Sequence, residues 1–278
     1  MTEKFTDING LNLSFIEKGE GEPLILIHGI GGKKETWISQ INDLSKYFRV
    51  IAVDLRGVGK SDRPDMPYTM EMLADDIKGL MDSLELESAH IIGRSLGGMI
   101  AQYFVLKYPN KVDKLVLMTT NPRVPDEKAA ELIKKGRLEE IKSLQEDPEQ
   151  SFWQKSRLLF HKDFRKKMKN NPSKKFYGIF SAEDLIEETT KNPSTPQDIE
   201  NLSYTLKSHD ILDQIENIKH KTLLVSGSHD RLTPKSSMLE IQKKIPNSKI
   251  EIIPNSGHFL HLSHAPEVNK LLIEFLKN

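Results

Sequence analysis

His90-Ile91-Ile92-Gly93-Arg94-Ser95-Leu96-Gly97-Gly98 joins a short apolar run to an apolar-periodic stretch over about 96–108. The run reads as a buried strand and the stretch as a helix, so Gly93 to Gly97 falls on a sharp strand-to-helix turn. Small residues flanking Ser95 let a strained backbone fit, and the turn leaves the hydroxyl exposed at the helix N-terminus. Gly98 gives the helix room to pack close to the strand behind it.

Working outward, the runs at 24–27, 50–53, 115–118, 222–225 and 250–253 are also short and mostly apolar. Strands without polar alternation are buried on both faces, as in parallel sheets covered by helices. Helical spacing lies between them at about 36–47, 69–84, 234–245 and 266–277. This alternation predicts a doubly wound α/β sheet whose ligands sit beyond the carboxyl ends of the strands. Upstream, residues 5–16 alternate around Asn9-Gly10, which predicts an opening β-hairpin.

The rhythm breaks from about 122 to 204, where no strand-like run occurs and prolines punctuate helix-like pieces. The expected organisation is a core of residues 1–121 and 205–278 interrupted by a helical insertion at 122–204. Thr195-Pro196-Gln197-Asp198 caps the last insertion helix. A basic stretch at 155–175 and an acidic one at 183–200 are expected to be solvated faces that partly pair with each other. Phe152, Trp153, Phe160, Phe164, Met168, Phe176, Tyr177 and Phe180 supply the insertion's own core, a minority of them lining an apolar pocket.

Composition narrows the chemistry. The 278 residues carry 40 basic and 40 acidic side chains and no cysteine. Without a basic block, neither nucleic acid nor an anionic membrane is expected as the main ligand. Disulfides, thiol nucleophiles and thiolate zinc sites are excluded. No stretch resembles a signal-peptide core or a membrane span, so a cytoplasmic protein is expected.

A serine hydroxyl needs a base to take its proton and an acid to hold that base's tautomer. Asp230 closes Ser226-Gly227-Ser228-His229-Asp230 after one strand, and His258 closes Asn255-Ser256-Gly257-His258 after the next. Ser95, Asp230 and His258 therefore converge at the carboxyl edge of the sheet. His28-Gly29-Ile30-Gly31-Gly32 follows the strand at 24–27 and places its amides beside the Ser95 turn, so the N–H groups of Ile30 and Leu96 form a predicted oxyanion hole. His28 reads as a loop brace. His258, His261 and His264 recur at three-residue spacing, but no metal is expected, and His209-Asp210 reads as a structural pair.

These motifs resemble the α/β-hydrolase superfamily, specifically small capped esterases and related lactonases or C–C bond hydrolases. The resemblance spans nearly the whole chain: His28-Gly29 with Trp37 behind it, Asp54-Leu55-Arg56-Gly57-Val58-Gly59-Lys60-Ser61, the Ser95 elbow, the Asp230 loop and Gly257-His258. It implies an α/β-hydrolase fold with a mostly parallel sheet, flanking helices and a helical cap. It also implies Ser95 as nucleophile, His258 as base then acid, Asp230 as orienting acid, no cofactor, and a structural role for 54–61. Arg94 departs from the family's usual ring before the nucleophile, and the sequence leaves open whether it repacks the elbow or brings charge to the site. A Ser rather than Asp nucleophile argues against epoxide hydrolases and haloalkane dehalogenases, and Leu96, where proline iminopeptidases carry Trp, against peptidases.

The expected activity is a carboxylesterase acting on small to medium acyl esters. The alternatives are the same machinery on an enol-lactone, a C–C bond, a thioester or a perhydrolysis substrate, or a slow-turnover ligand receptor. Monomer and homodimer stay equally open.

Overall fold

The computed structural model of the chain describes residues 2–207 and 209–278. Among these, β1 (Thr2–Ile8), β2 (Leu11–Lys18), β3 (Pro23–Ile27), β4 (Arg49–Val53), β5 (Ala89–Arg94), β6 (Val112–Met118), β7 (Lys221–Gly227) and β8 (Ser248–Ile253) form one sheet. Its order is β1-β2-β4-β3-β5-β6-β7-β8. Asn9 and Gly10, both at positive φ, turn β1 antiparallel onto β2 as their residue types require. β2 also pairs antiparallel with β4, and every neighbour from β4 to β8 is parallel.

Helices α1 (Ile38–Leu44), α2 (Met70–Ser83) and α3 (Leu96–Lys107) come before or between the first six strands. Five more lie between β6 and β7: α4 (Glu127–Glu146), α5 (Pro148–Leu159), α6 (Lys162–Asn170), α7 (Ala182–Thr190) and α8 (Pro196–Lys207). Helices α9 (Lys235–Lys244), α10 (Leu260–Ser263) and α11 (Ala265–Lys277) complete the chain. One core layer joins the sheet to α2, α3 and α9 through Leu73, Ile77, Ile100, Phe104 and Ile241. The other joins it to α1 and α11 through Ile41, Leu44, Val268 and Leu272. The apolar runs 24–27 of β3 and 50–53 of β4 are buried by both layers, the arrangement their sequence demands. β8 departs from that reading: as the terminal strand it leaves Glu251 and Ile252 exposed.

The five-helix segment has a separate apolar cluster built on Phe152, Phe160, Phe164, Met168, Phe176 and Phe180, which also takes in Leu262 of α10. Trp153 stands at its margin, whereas Tyr177 is exposed and donates its hydroxyl to the Ser263 carbonyl at 2.6 Å. Thr195 and Asp198 exchange hydrogen bonds at the start of α8, as the cap motif predicts.

One expectation is met in part and another is corrected. Among the described residues the basic and acidic stretches of this segment pair with each other at Lys175–Asp184, while Glu188 binds Lys33, Asp198 binds Arg63 and Glu200 binds Lys134. These pairs tie the segment to the core as well as to itself. His209 and Asp210 do not pair: His209 Nε2 lies 3.1 Å from the Asn121 carbonyl, and Asp210 accepts from the Leu212 amide. Among the described residues, no helix is long and apolar enough to cross a membrane.

Candidate active site

Ser95 ends β5 and caps α3 with φ 55° and ψ −121°, a conformation that L residues rarely adopt. Tertiary hydrogen bonds hold it there. Its N–H donates to the Met118 carbonyl at 3.0 Å, and its carbonyl accepts from Thr120 Oγ1 at 2.7 Å and the Gly98 amide at 2.9 Å. Strain of this kind persists only where the surroundings over-determine it. The close approach to the strand belongs to Gly97, on which a Cβ would collide with the Ile27 carbonyl; Gly98 faces Thr120 instead.

Gly29 bounds the other side of the serine, since a Cβ there would stand 2.8 Å from Ser95 Cβ and 3.3 Å from its Oγ. The loop is braced from behind by buried His28, whose Nε2 accepts from the Leu55 amide at 3.2 Å while Nδ1 lies 2.9 Å from the Gly29 carbonyl. Burial lowers His28 to about 4 and keeps it neutral, as a brace requires. Neither the Ile30 nor the Leu96 N–H donates to a backbone carbonyl among the described residues, which leaves both free for another acceptor.

Asp230 and His258 stand together at the ends of β7 and β8. His258 Nδ1 lies 2.9 Å from Asp230 Oδ2, and both side chains are buried. The amides of Leu232 and Thr233 donate to Asp230 Oδ1 at 2.9 and 3.0 Å, and Thr233 Oγ1 donates to Oδ2 at 2.5 Å. Burial alone would raise this carboxyl, but His258 and Thr233 together hold it below its usual range. An ionised Asp230 keeps the proton on Nδ1 and leaves Nε2 as an acceptor. Ser95 Oγ makes no hydrogen bond to His258 among the described residues.

The three histidines at 258, 261 and 264 separate. His261 is buried between Trp37 and Phe259, with ring centroids 5.3 and 5.1 Å away, and His264 Nδ1 lies 2.9 Å from Ser263 Oγ. Asp54 and Arg56 are structural: Asp54 binds buried Lys34, and Arg56 binds Asp76.

Helices α4 to α8 lie over this edge. The Leu159 carbonyl at the end of α5 accepts from the Phe259 amide at 2.8 Å, and Lys33 donates to the Glu188 carbonyl at 2.9 Å. The segment is thus seated on two of the loops that carry site residues. A surface cleft of about 360 Å³ between Asp65–Pro67 and α8 is lined by none of Ser95, Asp230 and His258.

Several residues at the site had no motif to announce them. Thr233 lies three positions beyond Asp230 in a loop. Arg137 and Lys155 sit on cap helices whose charge spacing reads as solvated surface, yet both bind half-buried Glu140 beside Gly31 and Gly32. Arg94, at 1 % exposure, brings charge to the site: its guanidinium lies 4.4 Å over the Phe259 ring, adjacent to His258.

A parallel sheet with a strained serine on the β5–α3 turn and an Asp–His pair after β7 and β8 defines a class, and the family comparison agrees. The model for the alpha/beta hydrolase fold matches residues 22–265, and the chain belongs to that family. It is 28 % identical to 2-hydroxy-6-oxo-6-phenylhexa-2,4-dienoate hydrolase of Burkholderia cepacia, covering 100 % of this chain and 97 % of that protein. Among solved structures it resembles the thermophilic esterase of Thermogutta terrifontis, with TM-score 0.81, 26 % identity and coverage of 100 % and 98 % of the two chains. The enol-lactonase of Burkholderia xenovorans LB400 has the same fold, with TM-score 0.83 at 22 % identity and coverage of 99 % and 100 %. The chain is thus a hydrolase by family, while the relatives differ in the bond they cleave.

Proposed function

We propose that the chain is a serine hydrolase that cleaves small to medium carboxylic esters through an acyl-enzyme, a cytoplasmic enzyme acting on a small molecule and needing no cofactor. The observation that carries this reading is the seating of Ser95: a positive-φ elbow at the N-terminus of α3 with Gly29 against its Cβ. In acylation Ser95 Oγ attacks the ester carbonyl as its proton passes to His258 Nε2. The amides of Ile30 and Leu96 stabilise the oxyanion, and Asp230 stabilises the imidazolium. His258 then protonates the leaving alcohol, and the same steps with water as nucleophile release the acid. Likeness to the Thermogutta esterase at 26 % identity supports the ester.

A second reading keeps the machinery and changes the bond. The Burkholderia cepacia relative, similar over its whole length, supports cleavage of a C–C bond next to a carbonyl. The test is turnover of p-nitrophenyl acetate, butyrate, octanoate and laurate by the wild type and Ser95→Ala, with a fluorophosphonate adduct located by mass spectrometry. Wild-type turnover that falls by ~10⁴–10⁶ in Ser95→Ala, with the adduct on Ser95, is the expected result. Labelling of Ser95 without ester turnover would move the assignment to the C–C bond or an enol-lactone, and full activity in Ser95→Ala would end the nucleophile assignment.

A further inference from the structure

The charges beside the oxyanion loop do not balance. Arg94 and Arg137 lie on consecutive glycines of that loop: a Cβ on Gly32 would stand 3.3 Å from Arg94 Nη2, and one on Gly31 would fall inside the Arg137 guanidinium. Lys155 of α5 joins them, bound to the same carboxylate as Arg137, that of Glu140. Three cations therefore share one acid. The next carboxylate, Asp230, is already committed to His258 and Thr233. Arg94 has no carboxylate bound to it among the described residues, and its Nε is buried without a partner, as is Nε of Arg137.

A guanidinium at 1 % exposure without a counter-ion is a costly feature of a fold. Its ring contact with Phe259 recovers only part of what water would supply. The three groups also oppose one another. Burial, partly countered by Asp230 and reinforced by Arg137, brings Arg94 down to about 9, and burial with Arg137 brings Lys155 down to about 8 despite Glu140. A small cleft opens at this place, about 60 Å³ between the loop glycines, Arg137, Glu140, Lys155 and the chain after α7.

We infer that Arg94, Arg137 and Lys155 form a carboxylate subsite: the substrate is an anion whose carboxylate lies beside Gly31 and Gly32 while its scissile carbonyl sits at Ser95. A carboxylate accepts the fork of N–H donors that a guanidinium presents and supplies the missing negative charge. The subsite is independent of which bond is cleaved, but it rests on the serine hydrolase reading for the position of the scissile carbonyl.

Two matched pairs test it. 4-Acetoxybenzoate against methyl 4-acetoxybenzoate places the charge on the leaving group, and p-nitrophenyl hemiglutarate against p-nitrophenyl pentanoate places it on the acyl group. In at least one pair the wild type should favour the acid by ~10-fold or more in kcat/KM, mostly through KM, as expected for a charge-assisted hydrogen bond. Arg94→Met and Arg137→Gln should each bring that ratio toward one, and Arg94→Lys should restore part of it. Arg137 stands on a partly exposed helix, so its variant reports even where Arg94→Met melts early.

Binding of 4-acetoxybenzoate and its methyl ester to Ser95→Ala, measured by calorimetry, reads the subsite without turnover. Tighter binding of the acid, lost in Ser95→Ala/Arg137→Gln, supports it even if the hydrolase reading fails. Equal binding together with equal kcat/KM in both pairs overturns it, even if fluorophosphonate labels Ser95. A preference that survives both Arg substitutions overturns the assignment to these residues.

Discussion

Two cations flank the His28–Gly32 loop, each with 1 % exposure, and their surroundings are opposite. Lys34, just after the loop, is bound by Asp54 at 2.6 Å and by Glu3 and Glu35 at 3.0 Å. Despite its burial those carboxylates raise its pKa. Arg94, just before Ser95, has no such partner among the described residues, and burial lowers its pKa instead. Equal burial thus hides unequal roles. A cation whose charge is met within the fold stabilises that fold, whereas one whose charge is unmet is free to act on something that arrives from outside.

The sharpest way to break this comparison is at Asp230, the carboxylate whose charge Arg94 feels most. If Asp230 serves His258, Asp230→Asn should lower kcat by ~10⁴ with the fold retained, because the imidazole loses its tautomer. Steady-state kinetics and a thermal melt read both quantities. A silent kcat with a lowered melting point would make Asp230 the counter-ion of Arg94, dissolve the contrast with Lys34 and send the search for the acid to the loop after β6.

The next effect is on stability. Lys34→Met leaves Asp54 buried and without its cation, so denaturant unfolding should show a loss of roughly 3–5 kcal/mol. Asp54 also accepts from the Lys34 and Lys60 amides, which hold the 54–61 loop, so the variant should lose loop order as well. The same substitution at the unpartnered cation removes a desolvated charge and leaves no acid stranded. Arg94→Met should therefore unfold within ~1 kcal/mol of the wild type or later. A loss at Arg94 as large as that at Lys34 would make both residues structural and count against the carboxylate subsite.

What could be seen beforehand follows the same division. The alternation of mostly apolar strands with helices was readable because a doubly covered parallel sheet leaves little solvent-facing side to encode, and β8 escaped it because an edge strand does have one. Ser95, Asp230 and His258 were readable because each stands in a small-residue loop at a strand end, and the backbone geometry of those loops restricts which residues fit. Arg137 and Lys155 were not readable. A cation on an amphipathic cap helix looks the same whether it meets water or the interior, and only the way the cap seats on the loop after β3 decides it. Arg94 lay between these cases: its position was conspicuous, and its missing partner could be established only in three dimensions.

The smallest effect is a pH dependence with opposite signs for the empty and the occupied site. Lys155 faces Glu140 and Arg137 from α4 and Arg94 from the end of β5, and in the folded chain it loses its proton near 8, whereas the unfolded chain keeps that proton to about 10.5. Between those values the unfolded state binds more protons, so stability of the empty protein should rise with pH, by at most ~1.4 kcal/mol per unit. The raised pKa of Lys34 contributes stability that is complete below 10.5 and lost only as pH rises through its folded value, so it adds no slope here. Carboxylate binding runs the other way, weakening over the same range as the subsite discharges. Chemical denaturation from pH 7.5 to 9.5, with and without 4-acetoxybenzoate on Ser95→Ala, reads both signs. In Lys155→Met the rise between pH 7.5 and 8.5 should disappear while the Lys34 pair stays intact, leaving only the later rise from Arg94, whose own pKa is brought down to about 9; a rise that persists below pH 8.5 would place the titrating charge elsewhere and leave Lys155 a surface cation like its neighbours on the cap.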